Sequence, residues 1–536
     1  MTTSADLWKE YCGFYEKPFS QQLEQNEALL KEHLQHWGKT AQAKLLCPKG
    51  FASIDDIPVT TFADYPVYAQ LKSRIERLER EIPRVTGENC WDYYDRIGGI
   101  ASRALSDYIV GDFSFVAKTS GTVAEPKWVA HGSTLWENFR HDVIATTILS
   151  CSDSWGKSSF RVGDRGFNFT PSAPFLSGWG RRASQGFVID VPSVDEMDNI
   201  ADARRKFFVA LEHLEKGNDV NLLGGMAPSV YLMCEYFSNP ESLFREYYDS
   251  MNVSPAKLYM LQRWVQAKLS NRSRDLTHFF KLKGLMIGGV DTSLYHDYMR
   301  IKLGVEPFCI YGATELGLPM FGSPDNKLYL LPNLRSFYLE FLDENEDLRR
   351  LSEVRPGGIY RVLATAFGGT LAKYDIGDIV RVIDTRDDGM PVFSFWGRRN
   401  ATVTIFRPPH ITEAFATRMM EMAGLSLSDK WAISKTFEGR ERLLVLMENT
   451  WGLSKEEATR RIYNAIINLN PQLQEYAKEF GLHRPEDMVE VQYLKRGAFL
   501  RYSMQRGKEG VPVGQVKPPK IIPSERQDLC ELLRSV

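Results

Sequence analysis

The 536-residue sequence has few cysteines, no long apolar run and no dominant sign of charge. Its seven cysteines are scattered without a Cys-x-x-Cys pair, which argues against a disulfide framework and against a zinc knuckle. No stretch approaches the roughly 20 apolar residues that a membrane-spanning helix needs. Lys plus Arg number 66 against 68 for Asp plus Glu, so no overall charge attracts nucleic acid or an anionic membrane. We therefore expect a cytoplasmic protein without nucleic-acid or membrane partners.

Common catalytic signatures are missing as well. The sequence contains neither the HExxH pattern of zinc proteases nor the GxSxG pattern of serine hydrolases. His33 and His36 lie three residues apart in a segment with helical spacing. We expect both histidines at the surface rather than as metal ligands.

The order of predicted elements indicates the fold class. Residues 5–48 have the apolar spacing of helices, and from about residue 110 short β-rich runs alternate with helical stretches. From residue 336 β segments follow one another directly, and the last 130 or so residues mix strands and helices. This pattern predicts an α/β protein with a large N-terminal domain of several subdomains, residues 1–397, and a small α+β C-terminal domain, residues 398–536.

A hydroxyl-rich loop follows the first β-rich run. It reads Lys118-Thr-Ser-Gly-Thr-Val-Ala-Glu-Pro-Lys127 and contains one glycine between hydroxyl residues. Backbone N–H groups, hydroxyls and a lysine in such a loop can bind a polyphosphate. The alternative is a surface turn that ends in an exposed lysine.

Three further segments carry polar groups in short motifs. The first is Tyr311-Gly-Ala-Thr-Glu315, in which Thr314 could instead cap a following helix. The second is Tyr374-Asp-Ile-Gly-Asp378, in which Asp378 could instead be a turn residue before a strand. The third is Gly397-Arg398-Arg399-Asn400, at the expected domain boundary.

The four segments together resemble the motifs of the adenylate-forming superfamily, which includes acyl-CoA ligases, peptide-synthetase adenylation domains, luciferases and plant acyl-acid amido synthetases. They occur in the family's order. Val123 and Ala124 depart from the loop motif, where the family usually has a hydroxyl residue and a glycine. The resemblance implies the adenylate-forming fold.

The resemblance also implies roles for individual residues, with ATP and Mg²⁺ as cofactors. The loop would bind the phosphates of ATP through Thr119, Ser120, Gly121, Thr122 and Lys127. Tyr311 would pack against adenine, Thr314 would contact phosphate, and Glu315 would hold Mg²⁺, which prefers carboxylate oxygen. Asp378 would accept hydrogen bonds from both ribose hydroxyls, Arg398 would reach ribose or phosphate, and Asn400 would be the hinge.

The C-terminal sequence narrows the resemblance. The segments Gly497-Ala-Phe499 and Gln515-Val-Lys517-Pro-Pro-Lys520 look like those that end the plant auxin- and jasmonate-conjugating amido synthetases. The segment Tyr311-Gly-Ala-Thr-Glu315, however, is more similar to the corresponding motif of phenylacetate–CoA ligases than to that of the amido synthetases. The family's catalytic C-terminal lysine, which bridges the substrate carboxylate and the α-phosphate, aligns best with Lys517 and next with Lys520. Both could also be solvated loop lysines.

The acyl pocket is expected from family analogy between three segments rich in small, apolar and aromatic residues. The residues taken to line it are Phe175, Trp179, Gly225 and Gly289. Such walls suit an uncharged aryl or aliphatic acid. Plain core packing is the alternative interpretation.

The resemblance implies a ligase that activates a small carboxylic acid as acyl-AMP, releases pyrophosphate, and transfers the acyl group to an amine such as an amino acid. The alternative acceptor is a thiol, either of CoA as co-substrate or of a carrier protein. Phe406 stands where CoA ligases have a glycine, which favours the amine. A non-catalytic nucleotide-binding regulator is a third interpretation, against which Lys127, Glu315 and Asp378 argue.

Overall fold

The computed structural model describes most of the chain. It covers residues 3–119, 126–198, 220–227, 281–288, 292–398, 402–404, 410–425, 430–437, 441–449, 452–470, 484–508, 518–522 and 527–535, with single positions at 209, 213, 230, 233, 234, 265, 276, 280 and 482. The helices predicted over 228–270 lie outside the described residues, apart from the single positions 230, 233, 234 and 265.

Fourteen α-helices are numbered here in chain order among the described residues. They are α1 Ser4–Tyr11, α2 Phe19–Trp37, α3 Ala41–Leu46, α4 Pro66–Glu81, α5 Cys90–Ser102, α6 Ser133–Ser150, α7 Leu176–Ala183, α8 Val194–Asp198, α9 Thr292–Leu303, α10 Glu413–Met422, α11 Lys455–Leu469, α12 Pro485–Met488, α13 Ala498–Lys508 and α14 Gln527–Ser535. Short 3₁₀ helices lie at Ile54–Asp56, Phe62–Asp64 and Arg103–Tyr108. None of the described helices is long and apolar enough to cross a membrane.

Nineteen strands are described in the same ranges. They are β1 Phe113–Lys118, β2 Trp128–Gly132, β3 Asp164–Phe169, β4 Val188–Asp190, β5 Val220–Met226, β6 Gly284–Gly288, β7 Pro307–Ala313, β8 Gly317–Phe321, β9 Leu331–Pro332, β10 Phe337–Leu342, β11 Leu348–Arg350, β12 Ile359–Ala366, β13 Tyr374–Thr385, β14 Pro391–Arg398, β15 Thr402–Thr404, β16 His410–Thr412, β17 Trp431–Phe437, β18 Glu441–Glu448 and β19 Val489–Leu494.

A seven-stranded sheet forms the centre of the large part of the chain. Its order is β4-β3-β5-β6-β7-β8-β9, with the strands from β4 to β7 parallel and β8 and β9 antiparallel. Helix α6 is buried along most of its length and packs on this sheet, as its apolar sequence requires. The carboxyl ends of parallel strands lie at one edge of a sheet, and such edges are where ligands bind in open α/β folds. Glu315 lies two residues beyond the end of β7.

Two other β elements supply residues discussed below. Strands β1 and β2 form an antiparallel hairpin, so residues 119–127 join their ends. A five-stranded sheet has the order β11-β10-β12-β13-β14, and its strand β13 begins at Tyr374. The mixed α/β architecture expected from the alternating elements is therefore confirmed.

The N-terminal helical region differs in detail from the expectation. The helical stretch expected over 5–48 is three helices, because Pro18 and the Gly38–Thr40 turn interrupt it. His33 is buried rather than exposed, while His36 is exposed as expected. The spacing of apolar residues around His33 does not show which side of the helix lies against the core.

Contacts divide the chain into two compact units. The first comprises described residues within 1–238, 272–376 and 380–395, and the second those within 239–271, 377–379 and 396–536. In the second unit, β17, β18 and β19 form a three-stranded sheet that packs with α10 and α11 around a core of its own. This part is α+β, as expected.

Candidate functional site

Three side chains from separate motifs meet in the first unit. The ammonium group of Lys127 lies 2.9 Å from Glu315 Oε1 and 3.2 Å from the hydroxyl of Tyr374. That hydroxyl lies 3.4 Å from the same carboxylate oxygen of Glu315. The side chains of Lys127 and Glu315 are 31% and 10% exposed, so the ion pair is partly shielded from water. A lysine, a carboxylate and a hydroxyl thus converge from residues far apart in the sequence.

The base of the β1–β2 hairpin holds Lys127 in place. The backbone N–H of Lys127 donates to Thr119 Oγ1 at 2.9 Å, and the backbone N–H of Thr119 donates to the carbonyl of Lys127 at 2.9 Å. Ser120, Gly121 and Thr122 lie outside the described residues. Thr119 and Lys127, near the two ends of the predicted loop, are therefore hydrogen-bonded to each other.

Glu315 lies in the turn between β7 and β8. The N–H of Leu316 donates to the carbonyl of Ala313, and β8 begins at the next residue. The alternative in which Thr314 caps a helix is wrong, because a strand follows. Thr314 instead presents its backbone carbonyl to Nε2 of His131, at 3.2 Å. Burial lowers the pKa of His131 to about 4, so the ring is neutral and we assign its proton to Nε2 as the donor to this carbonyl.

Tyr374 is a buried hydroxyl donor. Its side chain is 1% exposed, and its ring packs edge-on against Tyr65. Burial and the neighbouring Glu315 carboxylate raise the pKa of Tyr374 well above its ordinary value. The hydroxyl therefore stays protonated, and it can accept a bond from Lys127 while donating to Glu315.

Tyr311 is also buried, on strand β7. Its ring centroid lies 6.0 Å from that of Phe395, in a tilted arrangement. The residue thus sits four positions before Glu315 on the strand that carries the turn. Its packing against adenine stays a prediction.

Asp378 and Arg398 form an ion pair in the second unit. Arg398 Nε lies 2.7 Å from Asp378 Oδ1. The carboxylate of Asp378 is buried, whereas the Arg398 side chain is half exposed. Asp378 lies within strand β13, so it is not the turn residue of the alternative interpretation.

Of the two candidate C-terminal lysines, the structure describes Lys520 but not Lys517. Lys517 and the expected hinge, Asn400, lie outside the described residues. Lys520 is buried, and its ammonium lies 4.0 Å from the centre of the Trp431 ring. The carbonyl of Lys520 also accepts the N–H of Ile433, which ties this segment to β17. The catalytic role of Lys517, and of Lys520 as second choice, stays a prediction.

The Gly497-Ala-Phe499 segment has a structural partner. The buried carboxylate of Glu448, at the end of β18, accepts the backbone N–H groups of Gly497 at 2.7 Å and Phe499 at 3.1 Å. Those bonds fix the start of α13 to the three-stranded sheet. The buried carboxylate of Glu448 thus finds two backbone donors in this segment.

Among the residues expected to line the acyl pocket, Phe175 and Trp179 are both buried. Trp179 donates its Nε1–H to the carbonyl of Val116 and packs against Phe115, which favours the core-packing interpretation for this ring. Gly225 lies inside β5, paired with β3 and β6. Gly289 lies outside the described residues.

The donor set at Glu315 suits a magnesium ion shared with a substrate. Within the described residues, no group of three or more His, Cys, Asp or Glu side chains could hold a metal ion. Magnesium commonly uses one or two carboxylates, with phosphate oxygens and water completing its shell. One carboxylate beside a lysine fits that pattern.

Comparisons with known proteins give a family domain and a fold. Residues 330–398 match the model of the GH3 family central domain. No curated protein sequence matches the chain significantly. The GH3.15 acyl acid amido synthetase structure is 15% identical with a TM-score of 0.62, covering 99% of this chain and 94% of its own.

Two further solved structures are also similar to this chain. The AtGH3.15 acyl acid amido synthetase in complex with 2,4-DB is 15% identical with a TM-score of 0.64, covering 99% of this chain and 95% of its own. The amide bond synthetase McbA from Marinactinospora thermotolerans is 14% identical with a TM-score of 0.42, covering 72% and 67%. Residues 330–398 thus match the GH3 family central domain, and the chain has the fold of the GH3.15 acyl acid amido synthetase structures.

Proposed function

We propose that this protein is an ATP-dependent ligase that activates a small carboxylic acid as acyl-AMP and joins the acyl group to an amine, such as an amino acid. The observation that carries the proposal is the meeting of Lys127 and Glu315 at 2.9 Å, from two motifs that are 188 residues apart. Each motif alone has an ordinary explanation, but a surface turn and a helix cap would not bring these two side chains together.

The chemistry requires a carboxylate oxygen to attack the α-phosphorus of ATP. A bond forms between that oxygen and the phosphorus, the bond to the bridging oxygen breaks, and pyrophosphate leaves with the electron pair. Lys127 would neutralise charge on the phosphates, and Glu315 would hold a magnesium ion that would supply further positive charge there. Thr119 would bind phosphate at the base of the loop, with Ser120, Gly121, Thr122 and Thr314 as further phosphate contacts.

The nucleoside would be held by residues of two other motifs. Tyr311 would provide an aromatic wall for adenine. Asp378 would accept hydrogen bonds from the ribose hydroxyls, with Arg398 reaching ribose or phosphate. The pairing of Asp378 with Arg398 supports this proposal, because it places a buried carboxylate 2.7 Å from a partly exposed guanidinium in the motifs expected to bind the ribose.

The second half-reaction transfers the acyl group. An amine attacks the acyl carbon of acyl-AMP, AMP leaves, and the amine loses a proton. We propose that a domain of residues 398–536 rotates about Asn400 on a domain of residues 1–397, and that Lys517 serves the first half-reaction. The amine acceptor is supported by the GH3 central domain and by the fold of the amido synthetases.

The acid and the compartment are proposals of the same kind. Phe175, Gly225 and Gly289 would border a pocket for an aryl or aliphatic acid, and 2,4-DB is a reasonable first probe because a similar structure contains it. The cytoplasm is the compartment we propose, since all seven cysteines are described and none is joined in a disulfide.

A product assay tests the acceptor directly. The protein is incubated with ATP, Mg²⁺, one acid, and either a mixture of amino acids or CoA, and products are identified by mass spectrometry. The proposal expects an acyl amide and AMP without CoA. A thioester that forms only with CoA would overturn the amine acceptor in favour of the CoA ligase alternative.

A further inference from the structure

The ammonium group of Lys127 has aromatic neighbours that the motifs do not include. It lies 4.9 Å from the centre of the Phe62 ring and 5.9 Å from the centre of the Tyr374 ring. Both distances are within the range of a cation–π interaction, in which the face of a ring attracts a cation. Lys127 thus has two rings, one hydroxyl and one carboxylate around it.

The segment that carries Phe62 is fixed to the strand that carries Tyr374. Thr60 donates its N–H to the carbonyl of Lys373 at 3.0 Å and accepts the N–H of Asp375 at 2.8 Å, so it bonds to the residues on both sides of Tyr374. The Tyr65 hydroxyl accepts the N–H of Ala372 at 3.0 Å. These bonds hold both ends of the segment.

The ring of Phe62 is held within the segment as well. Thr61 and Asp64 bond to each other across the 3₁₀ helix Phe62–Asp64, which fixes the backbone at Phe62. The ring itself stacks on Tyr68, with centroids 5.7 Å apart and planes at 11°. Phe62 therefore has a set position before any ligand arrives.

We propose that residues 60–65 form part of the nucleotide site, and that Phe62 and Tyr374 are positioning residues that hold the Lys127 ammonium where the triphosphate binds. This inference rests on the proposed function. A long lysine side chain loses conformational freedom when it binds an anion, and a preformed position reduces that cost.

The rings attract the Lys127 ammonium in a way that metal binding does not weaken, unlike the carboxylate of Glu315. Once its carboxylate is shared with a divalent cation, Glu315 attracts Lys127 less strongly. The Phe62 ring carries no net charge and has no oxygen to give to a metal, so its attraction for the ammonium is unchanged. The rings therefore keep Lys127 in place at the stage when it must face phosphate rather than carboxylate.

Binding measurements on Phe62→Leu test the proposal. Affinities for ATP with Mg²⁺ and for AMP are measured by calorimetry on the full chain. We expect ATP binding to weaken about three- to tenfold, the size expected for losing one ring–cation contact, with AMP binding unchanged. Phe62→Tyr keeps a ring and should restore ATP affinity. Unchanged ATP affinity in Phe62→Leu would overturn the proposal.

A matched control separates positioning from folding. Phe14 is another partly buried ring that contacts a lysine, because Lys17 Nζ lies 5.6 Å from the centre of its ring. Phe14→Leu therefore removes an equivalent cation–π contact outside the site. We expect Phe14→Leu to leave ATP affinity as in the wild type. Equal loss of ATP affinity in the two variants would assign the effect to general destabilisation and overturn the positioning role.

Lys127→Ala separates this inference from the function on which it rests. We expect Lys127→Ala to weaken ATP binding, and Phe62→Leu to add no further loss in that background, because the ring acts through the lysine. If Lys127→Ala leaves ATP affinity unchanged, the proposed phosphate role itself fails. If the two losses add in full, only the positioning role of Phe62 fails.

Discussion

At the scale of single residues, the candidate site is built on an ion pair between Lys127 and Glu315, whose proposed roles in the reaction differ. Lys127 is paired with Glu315, so each satisfies the other's charge until a phosphate and a cation replace them.

Glu315→Gln tests the carboxylate with little change in shape. We expect the Mg²⁺ concentration for half-maximal acid-dependent pyrophosphate release to rise about tenfold or more, and the rate to fall about 100-fold, because one charged ligand and its electrostatic effect are lost. Thermal unfolding should shift little, since partly exposed ion pairs contribute about 1 kcal/mol or less. A wild-type rate and Mg²⁺ dependence would contradict the role of Glu315.

His33 gives a prediction about pH. Burial lowers the pKa of this histidine from its ordinary value of 6.5 to about 3, and its Nδ1 accepts the N–H of Gly368. The unfolded chain takes up a proton at this residue as the pH falls through 6.5, whereas the folded chain does so only near 3. Its contribution to stability is therefore complete above pH 6.5 and is lost progressively from pH 6.5 to 3.

The measurement is the free energy of unfolding at pH 7 and at pH 5. His33→Asn keeps an acceptor but cannot titrate. From pH 7 to pH 5 we expect the wild type to lose about 2 kcal/mol more unfolding free energy than the variant. His36→Asn, at an exposed position of the same helix, serves as the control. An identical pH dependence in wild type and His33→Asn would show that His33 does not contribute.

The sequence supports some of these residue assignments and not others. Lys127, Glu315 and Tyr374 lie in short motifs whose residue types indicate their chemistry, and the structure brings them together. Phe62 lies in a segment without such a motif, and only the tertiary bonds of Thr60 and Tyr65 bring its ring to the lysine. The burial of His33 likewise depends on packing that one helical pattern does not reveal.

At the scale of elements, the hairpin that carries Lys127 depends on a close helix. Helix α5 packs on β1, and Gly98 and Gly99 are neighbours on that helix. A Cβ on Gly98 would lie 2.9 Å from a methyl group of Val116, whereas a Cβ on Gly99 would meet nothing closer than 3.8 Å. The helix therefore reaches β1 through the glycine that faces it.

This difference predicts opposite effects for two adjacent substitutions. Gly98→Ala should destabilise the protein by about 1–3 kcal/mol, because a methyl group is forced into packed side chains. Gly99→Ala should stabilise it by up to about 1 kcal/mol, because alanine favours helix and has room. Urea unfolding of both variants measures this. Equal effects of the two substitutions would show that α5 does not pack on β1 as described.

Elements were easier to predict than their boundaries and partners. The alternating pattern predicts β5, β6 and β7 with the helices between them, because buried parallel strands are short apolar runs. The segment after β7 was open to two interpretations, a nucleotide-binding motif or a helix cap at Thr314. The antiparallel pairing of β8 with β7 excludes the helix cap, and this pairing is a tertiary contact.

At the scale of the whole molecule, the sequence resemblance predicted the adenylate-forming fold, while the N-terminal region gave little information. The structure shows that residues 60–65 bond to the start of β13, so this region takes part in the arrangement around Lys127.

The central claim is that this chain forms acyl-AMP with Lys127 at the phosphates. Acid-dependent exchange of labelled pyrophosphate into ATP measures that step without an acceptor. Across a panel of aryl and aliphatic acids that includes 2,4-DB, the account predicts exchange with at least one acid, independent of CoA and reduced at least about 100-fold in Lys127→Ala. ATP binding without exchange for any acid, or full exchange in Lys127→Ala, would contradict it.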